Sequence, residues 1–189
     1  MMLYDTLPQT IRIGRRRVKC DFDFRNVLRL MDILGEDDLL PDAREYLACK
    51  CVCKHPRPGM LEEIKKVLFG DEQKTEHHKR VTSFGQDAGM IRAAFLQAYG
   101  IDLYTEKVHW LKFMELLQNL PEDTQYMAIV GIRARDMPKP TKYNREEREW
   151  LRKAKAQYAI KTTGKEQEIT YQQNVADIFK GIMSMIPKG

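Results

Sequence analysis

Serine is nearly absent from this 189-residue chain: only Ser83 and Ser184 occur, which excludes serine-rich disordered linkers. No apolar run approaches the roughly 18 residues that a membrane span needs. The amino-terminal residues carry no signal-peptide pattern, which predicts a protein of the cytosol with no membrane contact. A glycine-rich phosphate loop, a His-Glu-x-x-His pair and a nucleophile elbow are all missing, and no unit of about 20 to 50 residues repeats. Carboxylates are plentiful, but none stands apart from the charged faces that helices carry. The chain therefore reads as a non-enzyme, with no catalytic residue and no cofactor.

Cysteine is scarce and clustered. Cys20 stands alone, while Cys49, Cys51 and Cys53 crowd together, which is not a secreted disulfide framework and predicts reduced thiols. With His55 these three offer four donors of the kind zinc prefers. Alternate residues on a helix diverge by about 200°, however, so three thiols on the helix expected there cannot converge. Small core residues and no metal are expected.

Hydrophobic residues make up 43% and charged residues 31%, enough apolar material for one domain with a real core or for a domain plus an appendage. The net charge of +5 is unevenly placed. Residues 135–165 hold ten Lys or Arg against Asp136, Glu146, Glu147 and Glu149, a local +6 that leaves −1 for the remainder.

The apolar spacing predicts a mainly α fold: a compact multi-helix body with a small N-terminal β-hairpin over residues 1–133, then a basic connector and a C-terminal helical extension over 134–189. Short β-branched runs at 10–13 and 18–20 flank Gly14-Arg15-Arg16-Arg17, which reads as a solvated hairpin turn. Asp21 is the expected N-cap of a helix through Phe24, Val27, Leu28 and Met31 that stops at Gly35. Further helices are expected at 41–53 and 58–69, followed by a polar loop at 71–80 that contains His77-His78.

The strongest periodicity lies between residues 84 and 133. Phe84, Ala88, Ile91, Phe95 and Ala98 form one stripe that Gly100 closes, and Trp110, Phe113, Leu117 and Leu120 form a second. These two helices are expected to pack as antiparallel neighbours, with Pro121 in the first turn of a third helix running to about Arg133.

The run Ala94-Phe95-Leu96-Gln97-Ala98-Tyr99-Gly100-Ile101-Asp102-Leu103, followed by His109-Trp110, Phe113, Leu116-Leu117, Leu120-Pro121-Glu122 and Ile132-Arg133, resembles the phage "gene product fifteen" family of siphophage tail-region proteins. Those proteins are regarded as tail assembly chaperones. The resemblance extends to Asp21 through Arg25 and, more weakly, past Arg133. Its core positions are Phe84, Asp87, Phe95, Tyr99, Gly100, Asp102, His109, Trp110, Phe113, Leu117, Leu120 and Arg133, a pattern of core and turn residues without chemistry. It implies a protein that coats the tape-measure protein, helps to deliver tail-tube subunits in the host cytoplasm, and leaves before the virion is complete.

Beyond Arg133, Met137-Pro138-Lys139-Pro140-Thr141 cannot continue a helix, because each proline lacks an amide donor and restricts its predecessor. Asn144 is the expected cap of a basic helix over 145–159. Lys139, Lys142, Arg145, Arg152, Lys153 and Lys155 are candidate phosphate contacts, with Tyr143 and Trp150 as stacking platforms. Alternation of sign along Arg145, Glu149 and Arg152 argues instead for a solvated, salt-bridged face. A last helix over 166–185 carries Val175, Ile178, Phe179, Ile182 and Met183 on one side, as a partner-binding face or as packing on its own domain. Gly85, Gly89 and Ala93, spaced by four, allow another helix to come close, and an unpaired hairpin edge invites a neighbour, so a homo-oligomer is expected. The competing expectation is a nucleic-acid-binding or structural tail protein retained in the virion.

Overall fold

The structure is a computed structural model and describes residues 5–70 and 81–161. The elements follow in the order β1 (Thr10–Ile13), β2 (Arg16–Lys19), α1 (Phe24–Leu34), α2 (Pro41–Val52), α3 (Met60–Phe69), α4 (Ala88–Tyr99), α5 (Trp110–Gln118), α6 (Gln125–Ala134) and α7 (Arg145–Gln157). The fold is mainly α with one small antiparallel hairpin, as the periodicity predicts. The described residues divide into two compact units, 5–70 with 107–115, and 81–106 with 116–161. Residues on both sides of Arg133 thus fall in the same unit, and α7 packs on α6. The expected helix over 166–185, the loop at 71–80 and their candidate residues, Val175 to Met183 included, lie outside the described residues.

In the first unit, β1 and β2 pair antiparallel with Ile13 opposite Arg16 and Ile11 opposite Val18. The turn is therefore the two residues Gly14-Arg15 rather than four. Gly14 has φ +58°, which a two-residue hairpin turn demands and glycine adopts without strain. Arg16 and Arg17 belong to the strand, a correction to the solvated turn expected for them.

Asp23, not Asp21, caps α1: its carboxylate accepts from the Arg25 amide at 3.0 Å, while Asp21 accepts from the Asp23 amide at 3.3 Å. Two aspartates spaced by two both suit the local turn, and periodicity alone does not choose between them. Pro41 starts α2 in the position where its missing amide costs nothing. Helix α3 begins two residues later than expected, because Gly59 at φ +78° still belongs to the preceding turn.

The core of this unit is aromatic. Phe24 stacks on Phe113 at 4.7 Å between ring centroids, Phe113 lies against Trp110 at 5.9 Å, and Phe69 meets Trp110 edge-on at 6.2 Å. The chain before α1 is laced to the chain before α5: Trp110 donates its amide to the Phe22 carbonyl (2.7 Å) and Phe24 to the Val108 carbonyl (2.9 Å).

In the second unit, α4 starts at Ala88. Phe84 lies in the turn before it, because the Asp87 carboxylate accepts from the Ser83 amide at 2.9 Å and closes that turn. Gly100, φ +67°, ends the helix as expected. The connection to α5 takes up residues 100–109, and α6 packs on α4. Thr124 caps α6 by accepting from the Met127 amide at 3.3 Å, which leaves Pro121 in the turn ahead of the helix. Asn144 does not cap α7 with its side chain. It accepts from the Thr141 amide (2.8 Å) and donates to the Lys139 carbonyl (2.9 Å), pinning the proline-rich segment instead.

Candidate partner-binding cleft

The sequence singled out Asp87 and Arg133, 46 residues apart, without a chemical reason. The structure joins them. Both are buried, at 1% and 8% exposure, and the guanidinium spans both carboxylate oxygens at 2.6 and 2.9 Å. Arg133 also donates to the carbonyls of Val81 (3.1 Å) and Tyr158 (2.6 Å), so one side chain ties together the chain before α4, α6 and the end of α7. A planar five-donor fork is the side chain suited to such a junction. It is a structural clamp.

Other positions that carry the resemblance also serve the frame. Phe95, Phe113, Leu117 and Leu120 are core residues. The Tyr99 hydroxyl lies 2.8 Å from the carbonyls of Leu116 and Asn119. Asp102 accepts from the Tyr104 amide and the Thr105 hydroxyl, folding the turn beyond Gly100. His109 accepts from the Leu111 amide through Nδ1 (3.2 Å), leaving Nε2–H to donate to the Pro8 carbonyl (2.8 Å). Both ring nitrogens are thus committed to the frame.

A concave surface lies elsewhere, in the first unit. A cleft of about 800 Å³ is lined by β2, by the segment after α2 and by the residues before α5. Arg16, Arg17, Lys19, Lys54 and Arg57 all face it, and among the described residues none of the five is in an ion pair. Its two carboxylates are already engaged: Asp23 with Arg25 at 2.8 Å, and Asp21 with Lys107 at 3.6 Å. Burial pushes the Asp23 carboxyl up, but the Arg25 hydrogen bonds outweigh it and hold it below the usual range. The cleft thus presents net positive charge to whatever enters it.

The basic segment after Arg133 is divided in its use. Lys139, Lys142, Arg145, Arg152 and Lys153 are exposed, but Lys153 pairs with Glu149 at 3.0 Å, and Lys155 donates to the Arg133 carbonyl at 2.9 Å. Arg148, on α7, donates to the Pro138 carbonyl. Tyr143 and Trp150 are 92% and 55% exposed.

All four cysteines are free. The Cys20 and Cys53 sulfurs lie 2.7 Å apart, and this hydrogen bond lowers the Cys20 thiol and pushes Cys53 far above its ordinary range. Burial pushes Cys49 up to about 11. Among the described residues no group of three or more His, Cys, Asp or Glu is placed to hold a metal, and no helix is long and apolar enough to cross a membrane.

The family model described as Bacteriophage Gp15 protein matches residues 3–160. The chain belongs to that family. As a Gp15-family member it is a phage structural or tail-region protein. Comparison with curated proteins and with solved structures gives no match. The match covers both units, so the Asp87–Arg133 clamp, the His109 junction and the cleft all lie within the Gp15 region. Sequence reasoning missed the cleft because its walls come from three segments far apart in the chain. The signal available was weak: Arg15, Arg16 and Arg17 beside a two-residue turn, where strand pairing carries the last two out of the turn.

Proposed function

We propose that this Gp15-family protein is a tail assembly chaperone. It binds the phage tape-measure protein in the host cytoplasm, assists addition of tail-tube subunits without catalysis, and departs before the virion is finished. The observation that carries this reading is the family match across residues 3–160. The open basic cleft of the first unit is consistent with it, since an assembly factor needs binding surfaces, multiple copies on one long partner and release, but no reacting group. Co-expression of the full chain with the tape-measure protein of its own phage is expected to yield a complex that co-purifies. Mass spectrometry of purified virions is expected to find the chain absent or scarce. Stoichiometric retention in the particle replaces this reading with that of a structural tail protein.

Exposed Tyr143 and Trp150 amid the lysines of the α7 region favour a second reading, nucleic-acid binding. Six phosphate contacts would give a logarithmic salt slope of about −5 for duplex DNA, because each neutralised phosphate contributes about −0.9. Our expectation is weak binding, indifferent to sequence, at physiological salt. Sub-micromolar affinity that is lost when Lys139, Lys142, Arg145, Arg152, Lys153 and Lys155 are changed to Gln would establish the second reading.

A further inference from the structure

We propose that the open edge of β2 takes an extended, acidic segment of a protein partner as a third strand. This rests on the chaperone reading and specifies the chemistry of one of its contacts. The argument begins with the register. A two-residue turn makes Ile13 and Arg16 the first hydrogen-bonded pair, and Ile11–Val18 follows; the Cys20 amide, bonded to the Gln9 carbonyl at 2.9 Å, continues the same phase. Arg16 and Val18 therefore spend their backbone groups on β1. Arg17 and Lys19 occupy the alternate pairs, whose amides and carbonyls point away from β1. Among the described residues no other strand lies beside β2.

The cleft runs along that edge. Arg16, Arg17, Val18 and Lys19 all line it, although successive side chains alternate between the two faces of a hairpin. A space beside the edge meets residues from both faces, as this lining does. An incoming strand would find outward donors and acceptors at Arg17 and Lys19, with Lys54 and Arg57 on the cleft wall.

Charge selects the occupant. A second copy pairing through the same edge would set arginine and lysine against arginine and lysine, and like charges across a strand pair are unfavourable. An acidic strand meets the opposite situation. A nucleic-acid backbone offers phosphate acceptors but no amide donors for the outward carbonyls of Arg17 and Lys19. The geometry thus favours a peptide in which acidic and small apolar residues alternate.

Fluorescence anisotropy on the full chain tests this with a labelled Glu/Val alternating hexapeptide. The controls are a Lys/Val counterpart, two versions of the acidic peptide N-methylated on either alternate set of amides, and single-stranded oligothymidylate. The acidic peptide is expected to bind, the lysine peptide to bind at least about tenfold more weakly, and one N-methylated version to lose binding. Arg17→Glu with Lys19→Glu should weaken the acidic peptide by a similar factor. Lys19→Pro should also weaken it, because it deletes an outward amide that the hairpin does not use. If either variant melts early, the N-methylated peptides decide on the unaltered protein. Equal binding of both N-methylated versions, or tighter binding of oligothymidylate than of the acidic peptide, overturns the proposal. Capture of the tape-measure protein, measured in parallel, separates the two readings. Capture without acidic-peptide binding removes this inference alone, whereas peptide binding without capture leaves the cleft assignment standing and removes the chaperone.

Discussion

Replacing Arg133 with leucine is expected to cost about 3–5 kcal/mol, as removal of one partner from a buried ion pair does. The substitution strands the Asp87 carboxylate at 1% exposure and removes donors from the Val81 and Tyr158 carbonyls, so three acceptors lose a partner at once. Against a typical domain stability of about 5–15 kcal/mol, that is a large share of what holds the second unit together. Urea denaturation should show the midpoint falling by more than about 1 M. Arg133→Lys should recover only part of the loss, since an ammonium cannot span both carboxylate oxygens while reaching two carbonyls. A lysine variant as stable as the original protein would mean that the bidentate geometry contributes little.

The second large effect is expected in the other unit. Trp110 is fully buried between Phe69 and Phe113, and Trp110→Ala should cost about 3–5 kcal/mol through lost transfer energy and the cavity left behind. Its position at the start of α5 makes it the residue through which that helix enters the aromatic core. Thermal melting followed by near-ultraviolet circular dichroism would register the loss of the aromatic cluster directly. A midpoint displaced by no more than a degree or so would show that the neighbouring rings close over the space.

Much of the helical framework was readable because it rests on local rules. Of the stripe Phe24, Val27, Leu28 and Met31, all but the half-buried Leu28 are buried as the spacing predicts, Pro41 opens α2, and Gly100 closes α4 with the backbone angle that its lack of a side chain permits. The errors fall at helix starts, where several polar residues compete for one cap. Asp23 prevails over Asp21, Asp87 bends the chain before α4, and Thr124 supplants Pro121. These choices depend on where the following helix must pack, which a window of a few residues does not contain. The cleft was illegible for a different reason. Nothing local brings Arg17, Lys54 and Lys107 to one surface, and the charge balance pointed to residues 135–165 instead. Asp87 and Arg133 were picked out by resemblance, but their pairing is a tertiary fact.

The lacing of Phe22 and Phe24 to Val108 and Trp110 sets an order of events during synthesis. The hairpin and α1 to α3 leave the ribosome well before residues 107–115 do, and at roughly 5–20 residues per second the wait lasts a few seconds. Throughout that interval Phe24 and Phe69 lack the Trp110 and Phe113 rings that later cover them. The nascent first unit is therefore an open half-core, exposed to premature self-contact. Slowing translation between residues 70 and 107 should lower the soluble yield more than slowing it after residue 115.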